Sequence, residues 1–297
     1  MSEKKPHQPR LAADAALVLV TVFWGTTFAL VKEALETTSP ANFIFIRFSL
    51  ALIMLLPVVW LKRRDFRPEV VGPGLIVGFF LFGAFLSQAF GLVYTTASRS
   101  GFITGLNVIL VPLMTIFIFR QLPSRLALIG SVLAFGGLYL LTSADQVQGL
   151  PFNRGDALTI LCAFMCAGHI LSLGRYSPLH DSFWLTFIQF CAVTAGVLAW
   201  AAVSGELNFG LSPQVYGAAV YLAGACTIYA FWGQTWAQAY TSPTRTAIIF
   251  ALEPVFAAGF AWLWLGEALG PWGLAGGGLI VCGILLAEIK PKAWSAD

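Results

Sequence analysis

Residues 94–112 read YTTASRSGFITGLNVILVP, and residues 240–258 read YTSPTRTAIIFALEPVFAA. A step of 146 positions carries Tyr94 to Tyr240, Thr95 to Thr241, Arg99 to Arg245 and Ile103 to Ile249, and the same step carries Gln88 to Gln234. Asn107 falls on Glu253. Nearer the front of each copy a step of 142, one indel away, carries Asp14 to Asp156, and Phe45, Ile46 and Phe48 to Phe187, Ile188 and Phe190, with Arg47 landing on Gln189. Fixed offsets of this kind are the mark of an internal repeat, so the fold is two versions of one unit.

Composition decides the solvent of that unit. The chain is 58% hydrophobic and 10% charged, with mean hydropathy +0.80, against roughly 45–50% apolar and 25% charged in soluble domains. Ten apolar runs stand near 11–34, 40–61, 70–94, 98–119, 125–142, 155–175, 182–203, 213–239, 243–265 and 271–289. Each is about the length that crosses a hydrocarbon core of roughly 30 Å as a helix. Strands of a membrane barrel need short alternating segments, which the runs do not show. The spacing therefore predicts an all-α integral membrane protein of ten transmembrane helices. The run at 11–34 is too long for a cleaved signal and is expected to stay in place.

One longer polar stretch, SADQVQGLPFNR at 143–154, divides the runs five and five. The expected organisation is a tail at 1–10, a first repeat at 11–142, a linker at 143–154, a second repeat at 155–289 and a tail at 290–297. An odd number of crossings per unit inverts the second against the first, the arrangement that allows alternating access. With alternate connections assigned to opposite sides, thirteen Lys and Arg fall with the N-terminus, three fall opposite (Lys32, Arg99 and Arg154), and Arg47 lies inside a run. That bias predicts both termini in the cytoplasm. The net charge of +3 reflects this topology and gives no reason to expect nucleic acid.

Several stretches carry a family likeness: WGTTF at 24–28, FIRFSLA at 45–51, LEPVFAA at 252–258, LGEAL at 265–269 and GLAGGGLIVCGILL at 273–286. Together they resemble the drug/metabolite transporter superfamily, in its EamA-type branch. The resemblance implies a ten-helix, five-plus-five carrier, and the overall pattern is most similar to bacterial exporters of aromatic and other amino acids. It also implies a multi-pass protein, of the inner membrane if the source is bacterial. The first repeat departs from the pattern: Asn107-Val108 stands where the second has Glu253-Pro254, so a symmetric pair of coupling carboxylates is not expected.

Polar side chains inside a membrane are costly and tend to face an interior cavity. Helical spacing groups Ser100, Thr104 and Asn107; Thr246, Phe250 and Glu253; Cys162, Cys166 and His169; Thr21, Trp24 and Phe28; and Thr227, Gln234 and Gln238 beside Tyr229 and Phe231. Phe85 and Gln88 join them from the third run. The expected substrate site is Trp24, Phe28, Phe85, Gln88, Thr104, Asn107, His169, Tyr229, Phe231, Gln234 and Glu253. Amides with aromatic faces suit a zwitterion or a flat ring, although the same polar residues also hold membrane helices to one another. His169 is read as cavity-lining or proton-coupled. Glu253 is read as a coupling acid, an ammonium ligand or a structural acid beside Pro254. Arg47 is expected to bond backbone or snorkel, with pairing to Glu253 the alternative.

Arg99 and Arg245 begin equivalent helices at opposite faces and, with Pro254, are the expected gating or hinge positions. No disulfide framework, metal site or cofactor is expected. The chain has no phosphate-binding loop, HExxH or nucleophile elbow, so it reads as a carrier rather than an enzyme, with a membrane-embedded enzyme or sensor as the alternative class. Arg47 is the one arginine away from the ends of the runs, which argues against phosphate-bearing cargo. The expected partners are a small-molecule substrate, an amino acid or similar metabolite, and the lipid bilayer, with the protein a monomer or weak homo-oligomer.

Overall fold

The computed structural model describes residues 10–143, 152–265 and 270–288. Among them there is no strand, and fourteen α-helices follow in order. The first unit holds α1 (Arg10–Gly25), α2 (Thr27–Ala34), α3 (Pro40–Lys62), α4 (Val71–Tyr94), α5 (Ala97–Thr104), α6 (Asn107–Phe119) and α7 (Arg125–Ser143). The second holds α8 (Arg154–Tyr176), α9 (Ser182–Ser204), α10 (Pro213–Ala223), α11 (Ala230–Ala237), α12 (Pro243–Phe250), α13 (Glu253–Leu265) and α14 (Pro271–Glu288). Seven helical segments are long and apolar enough to cross a membrane, and two more apolar helices, Arg125–Leu141 and Pro271–Ala287, are shorter. The expected tails, most of the 143–154 linker and most of LGEAL lie outside the described residues.

Four expected runs are interrupted. Thr26 separates α1 from α2, Gly105 and Leu106 separate α5 from α6, and Ala251 and Leu252 separate α12 from α13. A π-helical turn, Gly224–Tyr229, joins α10 to α11. The breaks at 105–106 and 251–252 stand one repeat step apart, yet only the second precedes a proline. Pro254 is the second residue of α13, where its missing N–H goes unnoticed. In the first unit a side chain on Gly105 would run into Leu138 of α7, so close packing at a glycine accompanies the same break. Matching caps start the helices before the breaks: Thr96 accepts from the Arg99 amide and Ser242 from the Arg245 amide, at 3.2 and 3.3 Å.

Contacts between the units come in reciprocal pairs. A Cβ placed on Gly130 would stand 2.5 Å from the Gly283 carbonyl oxygen, and one on Gly137 2.5 Å from that of Gly276; the converse placements give the same distances. The repeat step takes Gly130 to Gly276 and Gly137 to Gly283, so α7 and α14 touch as two-fold-related surfaces must. Small residues bring the backbones together here without side chains between them. Elsewhere α4 lies against α8 and α9, where Gly78 meets Ala192 and Gly168 meets Phe80. The large apolar side chains left uncovered, such as Phe117, Ile118 and Val203, match a lipid environment.

Candidate functional site

Between the two units lies a cavity of about 110 Å³. The face carrying the start of α1 is called here the near face, and that carrying residues 35–39 the far face. The lining comes from the latter half of α4, the first turns of α3, α2 and the middle of α8, so the cavity runs from mid-depth toward the far face. Below it, Gln238 Nε2 donates to the Ile170 carbonyl at 2.8 Å, and Gly174 packs directly on the Pro243 ring, sealing the near side.

Eight of the expected site residues line this space: Trp24, Phe85, Gln88, Asn107, His169, Phe231, Gln234 and Glu253. The helix breaks place two of them. Asn107 and Glu253 are each the first residue of a half-helix, α6 and α13, at equivalent positions of the repeat. An acid at a helix start also faces the positive end of the helix dipole. Gln88 Nε2 donates to Thr104 Oγ1 at 3.4 Å, so Thr104 stands one layer behind the lining. Gln234 Nε2 donates to Gln238 Oε1 at 2.9 Å, while its own Oε1 is buried with no hydrogen-bond partner among the described residues. His169 is buried with Nε2 2.9 Å from Gln189 Oε1 and its ring edge on Phe231.

Tyr229 is not brought in. It is 40% exposed, packs its ring on Phe23 and lies outside the lining. Two residues from Phe231, it points to the other side of the helix, since positions two apart do not share a face. The side chain of Phe28 lies outside the described residues. Pro254 sits beside the α12–α13 break.

Arg47 is the charged lining residue that sequence reasoning left out of the site. Its side chain is 4% exposed and lines the cavity, with Nε donating to Thr227 Oγ1 at 2.7 Å and Nη2 to the Cys226 carbonyl at 3.1 Å. The guanidinium carbon lies 5.0 Å from the centre of the Phe85 ring. Backbone bonding was expected, and the π turn explains why it happens there: the disturbed ladder leaves the Cys226 carbonyl to accept from both Arg47 and Trp24 Nε1, the latter at 3.1 Å. A signal was present. Arg47 falls on Gln189, and a position polar in both units inside a membrane is the criterion that singled out Gln88 and Gln234.

Arg99 and Arg245 lie away from the cavity, at opposite faces. Arg245 Nη2 is 2.5 Å from Asp14 Oδ2, with Thr241 Oγ1 3.5 Å from Asp14 Oδ1. Arg99 Nη2 is 2.6 Å from Asp156 Oδ2, with Thr95 Oγ1 3.1 Å from Asp156 Oδ1. Each cluster joins the first helix of one unit to the fourth rod of the other.

The model of the EamA-like transporter family matches residues 11–143 and again 153–288. The chain belongs to that family. An uncharacterized transporter of Archaeoglobus fulgidus is 34% identical over 281 residues, 95% of this chain and 87% of the relative. A Chlamydia muridarum protein named as an S-adenosylmethionine/S-adenosylhomocysteine transporter is 27% identical over 293 residues, 91% of this chain and 90% of that protein. One solved crystal structure superposes with TM-score 0.77 over 94% of this chain and 97% of its own, at 17% identity, which speaks for the fold alone. This EamA-family chain is thus a multi-pass membrane transporter and not an enzyme, acting on a small molecule in a lipid bilayer.

Proposed function

We propose that the chain exports small metabolites, foremost amino acids with neutral and aromatic side chains, by alternating access between two inverted five-helix units. The ten crossings then place both termini and the near face in the cytoplasm, and the cavity described above belongs to a conformation facing the other side. The observation that carries this reading is the cavity itself. It lies between the repeats, is sealed at one face, and combines the rings of Trp24, Phe85, Phe231 and Phe250 with the amides of Gln88, Asn107 and Gln234. Aromatic walls with a few convergent polar groups suit a small amphipathic ligand.

Counterflow tests it. Proteoliposomes loaded with unlabelled amino acids should accumulate labelled phenylalanine, methionine or threonine in a saturable way, with no imposed ion gradient. Absence of counterflow for every amino acid would refute the assignment. The Chlamydia muridarum relative favours a second reading, in which the cargo has the same α-amino-acid head on a larger body. Labelled S-adenosylmethionine in the same vesicles separates the two.

A further inference from the structure

We propose that Arg47 and Glu253 form the two poles of the substrate site, Arg47 receiving the carboxylate and Glu253 the ammonium of a zwitterion. This assignment rests on the amino-acid reading above and deepens it. Among the described residues, Arg47 and Glu253 are the only Arg, Lys, Asp or Glu side chains in the cavity lining. An ion within a membrane is retained when something compensates it. Yet no ion pair joins the two, and Glu253 makes no hydrogen bond or ion pair among the described residues.

Arg47 is held but not used up. Its bonds to Thr227 and Cys226 engage Nε and Nη2, leaving Nη1 without a partner among the described residues, while the Phe85 ring lies 5.0 Å from the guanidinium carbon. A rigid, half-satisfied guanidinium is a carboxylate receptor. Gln234, in the same lining, has a buried Oε1 with no hydrogen-bond partner among the described residues, a further acceptor beside the two charged groups. A ligand carrying both charges completes both poles at once. A simple carboxylate or amine completes one and leaves the other ion uncompensated, which selects for zwitterions.

The test compares phenylalanine, 3-phenylpropionate and phenethylamine as competitors of labelled phenylalanine counterflow in proteoliposomes. Wild-type protein should favour phenylalanine over either singly charged analogue. Arg47→Gln should weaken phenylalanine by roughly tenfold or more while sparing phenethylamine, and Glu253→Gln should weaken it similarly while sparing 3-phenylpropionate. Arg47→Lys keeps the charge without the fork and should fall between Arg47→Gln and wild type. Gel-filtration profiles and melting temperatures establish that each variant is folded. Parallel loss of all three competitors in folded protein, or wild-type behaviour of either variant, would overturn the assignment alone. Absence of wild-type counterflow for every labelled amino acid would overturn the amino-acid reading and this assignment with it.

A second inference stands on different residues. We infer that the Asp14–Arg245 and Asp156–Arg99 clusters are fixed pivots, not gates. In an inverted repeat the step between facing states exchanges the conformations of the two units. That exchange maps Asp14–Arg245 onto Asp156–Arg99. Both pairs are closed together, at 2.5 and 2.6 Å, although the cavity is sealed at one face only. Contacts closed on both sides at once are closed in either state. At the near face Gly174 packs on Pro243; the corresponding positions of the other unit are Lys32 and Ala97, and there Lys32 Nζ donates to the Thr95 carbonyl at 3.2 Å.

In a background without native cysteines, Asp14→Cys with Arg245→Cys, and separately Gly174→Cys with Pro243→Cys, can be joined by a short bis-methanethiosulfonate, each cysteine thiolate displacing a methanesulfinate to form a disulfide to the linker. Removing both partners of an ion pair leaves no orphan charge, so folding is spared the larger penalty. Transport relative to the unlinked variant should persist across the Asp/Arg pair and stop across the Gly/Pro pair. Loss of transport on linking positions 14 and 245 would overturn the pivot.

Discussion

Gly137→Ala and Gly136→Ala place the same methyl group on adjacent residues of α7 with opposite consequences. At Gly137 the new Cβ would stand 2.5 Å from the Gly276 carbonyl oxygen and 2.9 Å from an Ile280 side-chain carbon; at Gly136 it meets nothing within 4 Å. A carbon and a carbonyl oxygen sit comfortably at about 3.3–3.6 Å, so α7 and α14 must move apart by nearly an ångström. Overpacking of that size costs about 1–3 kcal/mol. Each alanine also gains up to about 1 kcal/mol of helix propensity over glycine, a gain common to both variants that cancels in their difference. Gly137→Ala should therefore be less stable than Gly136→Ala by about 1–3 kcal/mol, which at about 2–4 °C per kcal/mol is a gap of roughly 2–12 °C in melting temperature. Thermal melting in one detergent reads it. Equal melting temperatures would refute the close glycine contact and, with it, the reciprocal packing of the two units.

Thr227→Val removes the acceptor of Arg47 Nε in a buried position and should cost about 1–3 kcal/mol of stability as well as transport, with Thr227→Ser restoring both; melting and counterflow check this. His169→Ala leaves Gln189 Oε1 without its partner and should lower the melting temperature more than His169→Gln, which retains a donor. Asp14→Asn removes the carboxylate from the largely buried Arg245 guanidinium and should lower the melting temperature, whereas Asp14→Asn with Arg245→Gln should lower it less than that single change. Melting temperatures of both single variants and the double variant check the cycle.

Membrane crossings and the repeat were legible because each is a pattern in one dimension: apolar runs of spanning length, and residue types recurring at fixed steps. Helical spacing of polar and aromatic side chains picked out eight cavity residues, and the repeat step singled out Gln88 and Gln234 among them. What stayed hidden depends on where helices stop. The breaks at 105–106 and 251–252 occur with and without a following proline, so the Pro254 signal alone pointed to only one of them. Arg47 was passed over because a lone arginine in an apolar run ordinarily snorkels or bonds backbone. Its place was decided by the π turn at 224–229, which has no sequence mark beyond Gly224. Asp14, Asp156, Arg99 and Arg245 were all visible as repeat pairs. That each aspartate reaches the arginine of the other unit depends on the three-dimensional packing of the repeats, which no spacing records.

Two-sided access to the cavity is the most direct test of the account. Cys166 lines the cavity from α8 and is only partly buried; with the other four cysteines replaced by serine, it is a single reporter thiol. A membrane-impermeant thiol reagent is applied to right-side-out and to inside-out vesicles, with and without transported amino acid. Alternating access predicts labelling of Cys166 from each side, slowed by substrate in both orientations. Labelling from one side alone under every condition, or labelling indifferent to substrate, would contradict a carrier that turns this cavity from one face of the membrane to the other.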